Sequence, residues 1–428
     1  MAIARLARMA RLPPLLRDTP FRRYWTGRTL SQVGDQVRAL ALPLTAVTVL
    51  HAGATAMGVL AAAGSLPALL ASLHAGAWVD RRGGRRQVML WADVGRAALL
   101  AALPALWAAG ALSLPLLVGM ALALGLLSVL FSVSAGTLFV ALVPRERYLD
   151  AGVLLSQGRA GAFLVGPGIG GVLIQALGAP LALLADAASF VASALSLARI
   201  RPVEPPPAAR GAESLFAGLA FVRRSPVLWR LWLSASTIAL FKAMFSALYI
   251  LYMTRALGVT PAEMGIILGP SSVGALAAAS LAGRLSRRIG LGRTLILGSA
   301  LYTLPMLAVP LAGGTHALVV ALLFVVEGTI AAGVMTLDTV RATVQAAGIP
   351  DAVRARVLGA FTATGAGLWP VGALLAGGVA ALAGLRAAMW VGAAGSVLGT
   401  AWLGSGAIVR LRAVEDIEAA PAALPARA

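Results

Sequence analysis

Gly76–Leu90 reads GAWVDRRGGRRQVML, with Arg81, Arg82, Arg85 and Arg86 crowded around Asp80. On either side lies an apolar run long enough to cross a bilayer. The pattern returns in Gly283–Arg293, GRLSRRIGLGR, where Gly283 aligns with Gly76, Arg288 with Arg81, Gly290 with Gly83 and Arg293 with Arg86. A basic turn at the same place in two hydrophobic halves predicts a duplicated membrane protein.

Composition agrees. Of 428 residues, 59% are hydrophobic and 12% charged, and mean hydropathy is +0.88, whereas soluble domains are about 25% charged. A soluble fold of this size could not hide so much apolar surface, so the expected class is all-α integral membrane. The net charge of +19 would suggest nucleic acid in a soluble chain. Here the arginines occupy alternate loops, as membrane orientation requires, and no nucleic-acid partner is expected. There is no cysteine, and His51, His74 and His316 are scattered without ligand spacing, so neither a metal nor a cofactor is expected. No catalytic constellation and no GxxxxGK[ST] loop is present, which argues against an enzyme and against an ATP-driven pump.

Twelve hydrophobic segments are predicted, at about 24–50, 55–79, 87–108, 114–142, 149–177, 180–200, 227–254, 262–285, 294–312, 316–345, 357–382 and 386–409, each near the ~20 residues a spanning helix needs. RPVEPPPAARGAE, rich in proline and charge, breaks them six and six, and SLFAGLAFVRR after it suits a short amphipathic helix. The expected division is a first six-helix bundle over 1–200, a cytoplasmic linker over 201–226, a second bundle over 227–410 and a tail over 411–428. Arginine-rich loops all fall on one side; the other side carries only Arg255 and Arg386. That bias predicts both termini in the cytoplasm of a bacterial inner membrane. The basic opening, MAIARLARMARLPPLLRDTP, lacks the apolar core of a signal peptide. It reads either as a segment lying on anionic headgroups or as a disordered tail.

The informative residues are ionisable groups far from helix ends, each costing roughly 2.5–3.5 kcal/mol at mid-bilayer unless it faces protein or water. Lys242, the only lysine in the chain, lies in mid-segment with Ser246, Tyr249 and Met253 on its face. It is either a functional group or one half of a structural ion pair. Glu327 lies midway along the tenth segment at matching depth, which makes a Glu327–Lys242 pair a hypothesis; Asp338 and Arg341 follow. In the first segment Arg28, Gln32, Asp35 and Arg38 share a broad face, read either as a cavity-lining stripe or as a self-neutralising Asp35–Arg38 pair. Asp93 and Arg96 read as a structural pair, and Arg159 and Asp186 each need a partner the sequence does not name. Trp369 sits mid-segment, unlike the tryptophans near helix ends, and either packs between helices or faces a cavity. Gly166-Pro167-Gly168-Ile169-Gly170-Gly171 puts proline inside a span, allowing a hinge or close packing, and Trp369-Pro370-Val371-Gly372 stands at the matching place in the second half.

Twelve spans in two sixes, a long inner linker and the loop Gly76-x3-Asp80-Arg81-x-Gly83-x-Arg85-Arg86 resemble the major facilitator superfamily. The resemblance implies two pseudo-symmetric six-helix bundles around a cavity lined by the first, fourth, seventh and tenth helices. It also implies that Gly76, Asp80, Arg81, Gly83, Arg85 and Arg86 form a conformational latch. The second copy has Arg287 where Asp80 stands. GPGIGG is similar to part of a drug–proton antiporter motif, with Gly166, Pro167, Gly170 and Gly171 at the hinge, although the fourth segment lacks the arginine many such antiporters carry. FRRYWTGRTLSQVGDQV and VPRERYLDAGVLLSQGRAGAFLVGPGIGG resemble bacterial exporters of the enterobactin and macrolide efflux type. The implied protein is a monomeric, proton-coupled exporter of a small amphipathic molecule. Its substrate and coupling candidates are Asp35, Arg38, Lys242, Glu327, Arg159 and Trp369, and its partners are substrate, protons and the lipid bilayer. Siderophore export, or uptake of a nutrient by the same fold, are the alternatives.

Overall fold

The structure, a computed structural model, describes residues 13–70, 78–79, 83–201, 215–269 and 271–417. All regular structure among them is helical: α1 (Pro14–Arg17), α2 (Thr19–Thr48), α3 (Ala54–Leu70), α4 (Arg85–Ala108), α5 (Leu114–Leu142), α6 (Tyr148–Leu177), α7 (Ala179–Ala198), α8 (Leu215–Arg224), α9 (Pro226–Arg255), α10 (Pro261–Leu268), α11 (Ser271–Ile289), α12 (Leu291–Thr303), α13 (His316–Gly348), α14 (Asp351–Ala383) and α15 (Leu385–Ala401). Among the described residues nine helices are long and apolar enough to cross a membrane. Three more fall at predicted spans but miss that measure for visible reasons. α2 is long and carries the charged stripe, α3 is described for 17 residues, and α11 ends in arginines.

Two predicted spans differ in detail. The eighth is described in two pieces, α10 and α11, on either side of residue 270, and α10 opens on a capping box between Thr260 and Glu263. The ninth is helical only to Thr303 and continues as a 3-10 turn and a short helix, Ala308–Leu311. Pro305 and Pro310 supply no backbone N–H there, so the regular ladder cannot continue.

The duplication is written into the backbone. Gly178 joins α6 to α7 with φ 86° and ψ 157°; Gly384 joins α14 to α15 with φ 87° and ψ 163°. Only glycine takes that conformation without strain, and each lets one long helix turn directly into the next.

By contact the chain forms two compact units. One draws on Met1–Leu42, Leu70–Leu112 and Ala123–Arg210, the other on Pro43–Leu69, Ser113–Leu122 and Gly211–Ala428. In each, many large apolar side chains point outward, and glycines line several of the closest helix contacts. Leu382 is 92% exposed and Val172 63%, a surface suited to lipid. In the first unit Gly158, Gly166 and Gly170 of α6 lie against Thr29, Gln36 and Val37 of α2, so added methyl groups would collide. α6 runs unbroken through Pro167, and the GPGIGG run serves there as a packing seam. In the second unit Gly392, Gly395 and Gly399 of α15 give the same close approach to α9.

The linker helix α8 does more than lie along a surface. Phe221 and Val222 are buried in the second unit's core, and Gly218 meets the backbone of Arg356 on α14. The C-terminal segment is docked as far as Ile417. Leu411 and Arg412 carbonyls accept from the Gly292 and Leu291 N–H groups at 2.8 and 3.2 Å, and Ile408, Leu411 and Ile417 join that same core.

Candidate functional site

Each unit carries its own set of charges inside the helices. In the first, the charged stripe of α2 finds an ion-pair partner on α7. Arg38 donates from Nε to Asp186 on α7 at 2.9 Å and is also paired with Asp35 one turn away. Asp186 is fully buried and takes a further bond from Ser189 at 3.1 Å. On α4, Asp93 and Arg96 pair with each other, both buried, and the Arg96 guanidinium lies between the Phe131 and Phe190 rings at 4.4 and 4.0 Å. Two aromatic faces and a carboxylate thus stand in for water around one cation.

In the second unit, α9, α12, α13 and α14 enclose a cavity of about 290 Å³ lined by Lys242, Tyr302, Asp338, Arg341 and Trp369 among apolar groups. Lys242 lies mid-helix, its Nζ 5.2 Å from the centre of the Phe245 ring. It feels the charge of Glu327 on α13, yet no ion pair within 4.0 Å joins the two among the described residues. The Tyr249 hydroxyl, one helical repeat beyond Lys242, is buried without a partner of good hydrogen-bond geometry and lies in the field of Glu327. Asp338 and Arg341 pair with each other at 2.6 Å. α14 comes close to α9 because Gly372 has no side chain; a Cβ there would meet the backbone of Leu240 and, at 2.9 Å, the Ala243 methyl.

The structure therefore brings Asp35 and Arg38 together with Asp186, and Lys242 near Glu327 and Trp369. Trp369 is 38% exposed and forms part of the cavity wall. Arg159 joins neither set: it is exposed, its guanidinium over Phe163. Of the basic loop, Gly76, Asp80 and Arg81 lie outside the described residues. Gly83 takes φ 66° and Arg85 is buried. Arg86 donates to the Leu197 and Ala198 carbonyls at 2.9 and 2.6 Å, closing the C-terminal end of α7, where a cation is favoured. Sequence reasoning found Asp186 but not its partner, because the residues lie far apart in the chain. It placed Tyr249 on the right face without its neighbour Glu327, and it missed Tyr302, which looks like any interfacial tyrosine.

Residues 9–427 match the family described as transmembrane secretion effector. The chain is 30% identical over 377 residues to the multidrug efflux pump Tap of Mycobacterium tuberculosis, covering 84% of this chain and 86% of that protein. It is 29% identical over 353 residues to Tap of Mycolicibacterium fortuitum, covering 77% and 81%. Its fold matches a bacterial homologue of the human lysosomal transporter Spinster (TM-score 0.68, 16% identity, 96% of this chain and 100% of that one). It also matches the nucleoside transporter NupG (TM-score 0.71, 12% identity, 90% and 99%). The Arg-rich turn, the helical frame and near full-length family match agree: this chain belongs to the transmembrane secretion effector family, as a multi-pass transporter of the major facilitator fold and not an enzyme.

Proposed function

We propose that the protein exports small amphipathic molecules across a bacterial inner membrane by alternating access, in exchange for protons. The observation that carries this reading is the cavity in the second unit, where Lys242, Trp369 and an apolar wall meet and where Glu327 lies within electrostatic reach of Lys242. A cavity whose wall combines apolar side chains, the aromatic Tyr302 and Trp369, and the charged Lys242, Asp338 and Arg341 suits amphipathic cargo. A carboxylate near a cation inside a span is a natural place for a proton to be exchanged for substrate. The similarity to Tap, named as a multidrug efflux pump, supports export.

In this reading Glu327 and Asp35 take up protons, with Arg38 and Arg159 as further coupling candidates. Lys242 acts as their switch or as the partner of an anionic group. Gly76, Asp80, Arg81, Gly83, Arg85 and Arg86 latch the inner face, and Gly166, Pro167, Gly170 and Gly171 serve as the hinge of the fifth span during the transport cycle. The protein works as a monomer of two six-helix halves with both termini in the cytoplasm. An anionic cargo such as a siderophore is the second reading, favoured by a Lys242 ammonium with no carboxylate in ion-pair contact among the described residues.

The test is substrate-dependent proton flux in proteoliposomes with one cationic and one anionic fluorescent dye, comparing wild type, Glu327→Gln and Lys242→Ala. Dye efflux should drive proton entry in the wild type, Glu327→Gln should abolish its pH dependence, and Lys242→Ala should act chiefly on the anionic dye. Unchanged pH dependence in both variants would overturn the assignment.

A further inference from the structure

Within the first unit, five ionisable groups from three helices meet. α2 brings Asp35 and Arg38, α4 brings Asp93 and Arg96, and α7 brings Asp186. They act as one cluster, since Asp35 and Arg38 lie in the electrostatic field of Arg96, and Asp35 in that of Asp93. α5 has no titratable residue, and Arg159 of α6 is turned away over Phe163. The cluster holds three carboxylates and two guanidiniums. Guanidiniums keep their proton at any physiological pH. Fully ionised, the cluster would carry one uncompensated negative charge beside the sealed Asp186, Asp93 and Arg96, which proteins avoid.

Its position can be narrowed. Asp93 has Arg96 to itself, whereas Asp35 and Asp186 share Arg38. The surplus carboxylate therefore belongs to the Asp35–Asp186 pair. Among the described residues no third cation joins the cluster, and Asp93 Oδ2, Arg96 Nε and Ser193 Oγ are buried without a partner of good hydrogen-bond geometry, so the deep end is already short of bonds. Gly34 brings α2 so near α7 that a methyl group there would collide with the Asp186 carboxylate and the Ser189 hydroxyl. Asp186 is sealed at 0% exposure, while the Asp35 side chain is 33% exposed and is the cluster's opening.

We propose that the Asp35–Arg38–Asp186 triad is a proton-binding site of the first unit, with Asp186 as its inner carboxylate and Asp35 as its entrance. One proton from solvent converts one carboxylate of the pair to the acid, and the five-group cluster becomes neutral. Arg38 can then hold the remaining carboxylate alone. This rests on the proton-coupled reading and deepens it: the proton taken up at Asp35 is shared with a sealed second carboxylate, Asp186, through Arg38.

Infrared difference spectroscopy of the purified protein, titrated across the neutral pH range without substrate, reads carboxylic-acid groups directly and needs no transport. In a Glu327→Gln background, where Glu327 contributes no acid, the protein should show a carboxylic C=O band equivalent to one proton that Asp186→Asn and Asp35→Asn each remove. Asp35→Asn changes a partly exposed residue and guards against a misfolded Asp186→Asn. In that background, a band that survives both Asp substitutions, or no such band at any pH tested, would overturn the proposal. Proton-coupled dye efflux with either of those results would leave the transport reading standing without this site.

Discussion

Arg96 gives the sharpest test of what holds the first unit together. It is 3% exposed, Asp93 is fully buried, and the guanidinium is clasped by two rings at 4.4 and 4.0 Å. Arg96→Met keeps most of the apolar stem and removes the charge. Asp93 is then a buried anion without its partner, which costs about 3–5 kcal/mol. The two lost cation–π contacts, up to ~2 kcal/mol each when desolvated, are offset in part by sulfur–aromatic contacts of about 0.3–1.5 kcal/mol. The orphaned carboxylate therefore dominates. At about 2–4 °C per kcal/mol for a unit of this size, the midpoint should fall by roughly 6–20 °C. Size-exclusion chromatography of detergent-solubilised protein after stepwise heating measures it. Asp93→Asn combined with Arg96→Met should recover more than half the loss, since replacing a whole buried pair is close to neutral. A single variant that melts with wild type, or a double variant no better than the single, would refute this reasoning.

At the crossing of α12 and α13, a Cβ on Gly333 would sit 2.8 Å from the Gly298 carbonyl oxygen, whereas Gly328 has open space. Gly333→Ala should therefore lose about 1–3 kcal/mol by overpacking. Gly328→Ala should be neutral or slightly stabilising by the same heating assay. The Asp416 carboxylate accepts from the Ala413 and Arg412 N–H groups at 2.9 and 2.7 Å, bonds that hold its pKa below the ordinary aspartate value. A depressed folded pKa means a contribution complete above about pH 3.9 and lost as pH falls toward the folded value. Hydrogen exchange at the Leu291 and Gly292 amides should thus be equally well protected through the neutral range, and faster at every pH in Asp416→Asn; equal protection in that variant would sink the argument. Thr260→Ala removes the capping box of α10 and should cost about 1 kcal/mol, read as faster exchange in its first turn.

The class and the fold were legible because they rest on terms that add along the chain. Hydropathy, loop arginines and proline breaks each act within a few residues, and the all-helical frame and family match agree with them. The linker helix was legible as a helix, but not as part of a core, since Phe221 and Val222 are buried only once α14 lies across them. The GPGIGG run announced a special backbone without saying that it would be a seam against α2.

The sequence by itself determined how many apolar helices there are, where they turn and which residues are too charged to be left in lipid. Only the tertiary structure decided who answers those charges. Asp186 reaches Arg38 across nearly 150 residues, Asp93 keeps Arg96, and Lys242 stands near Glu327 without touching it. Hydrophobic cost depends on each residue alone and can be summed from a string. Charge pairing depends on distance in space, and a string does not contain that until the helices have packed.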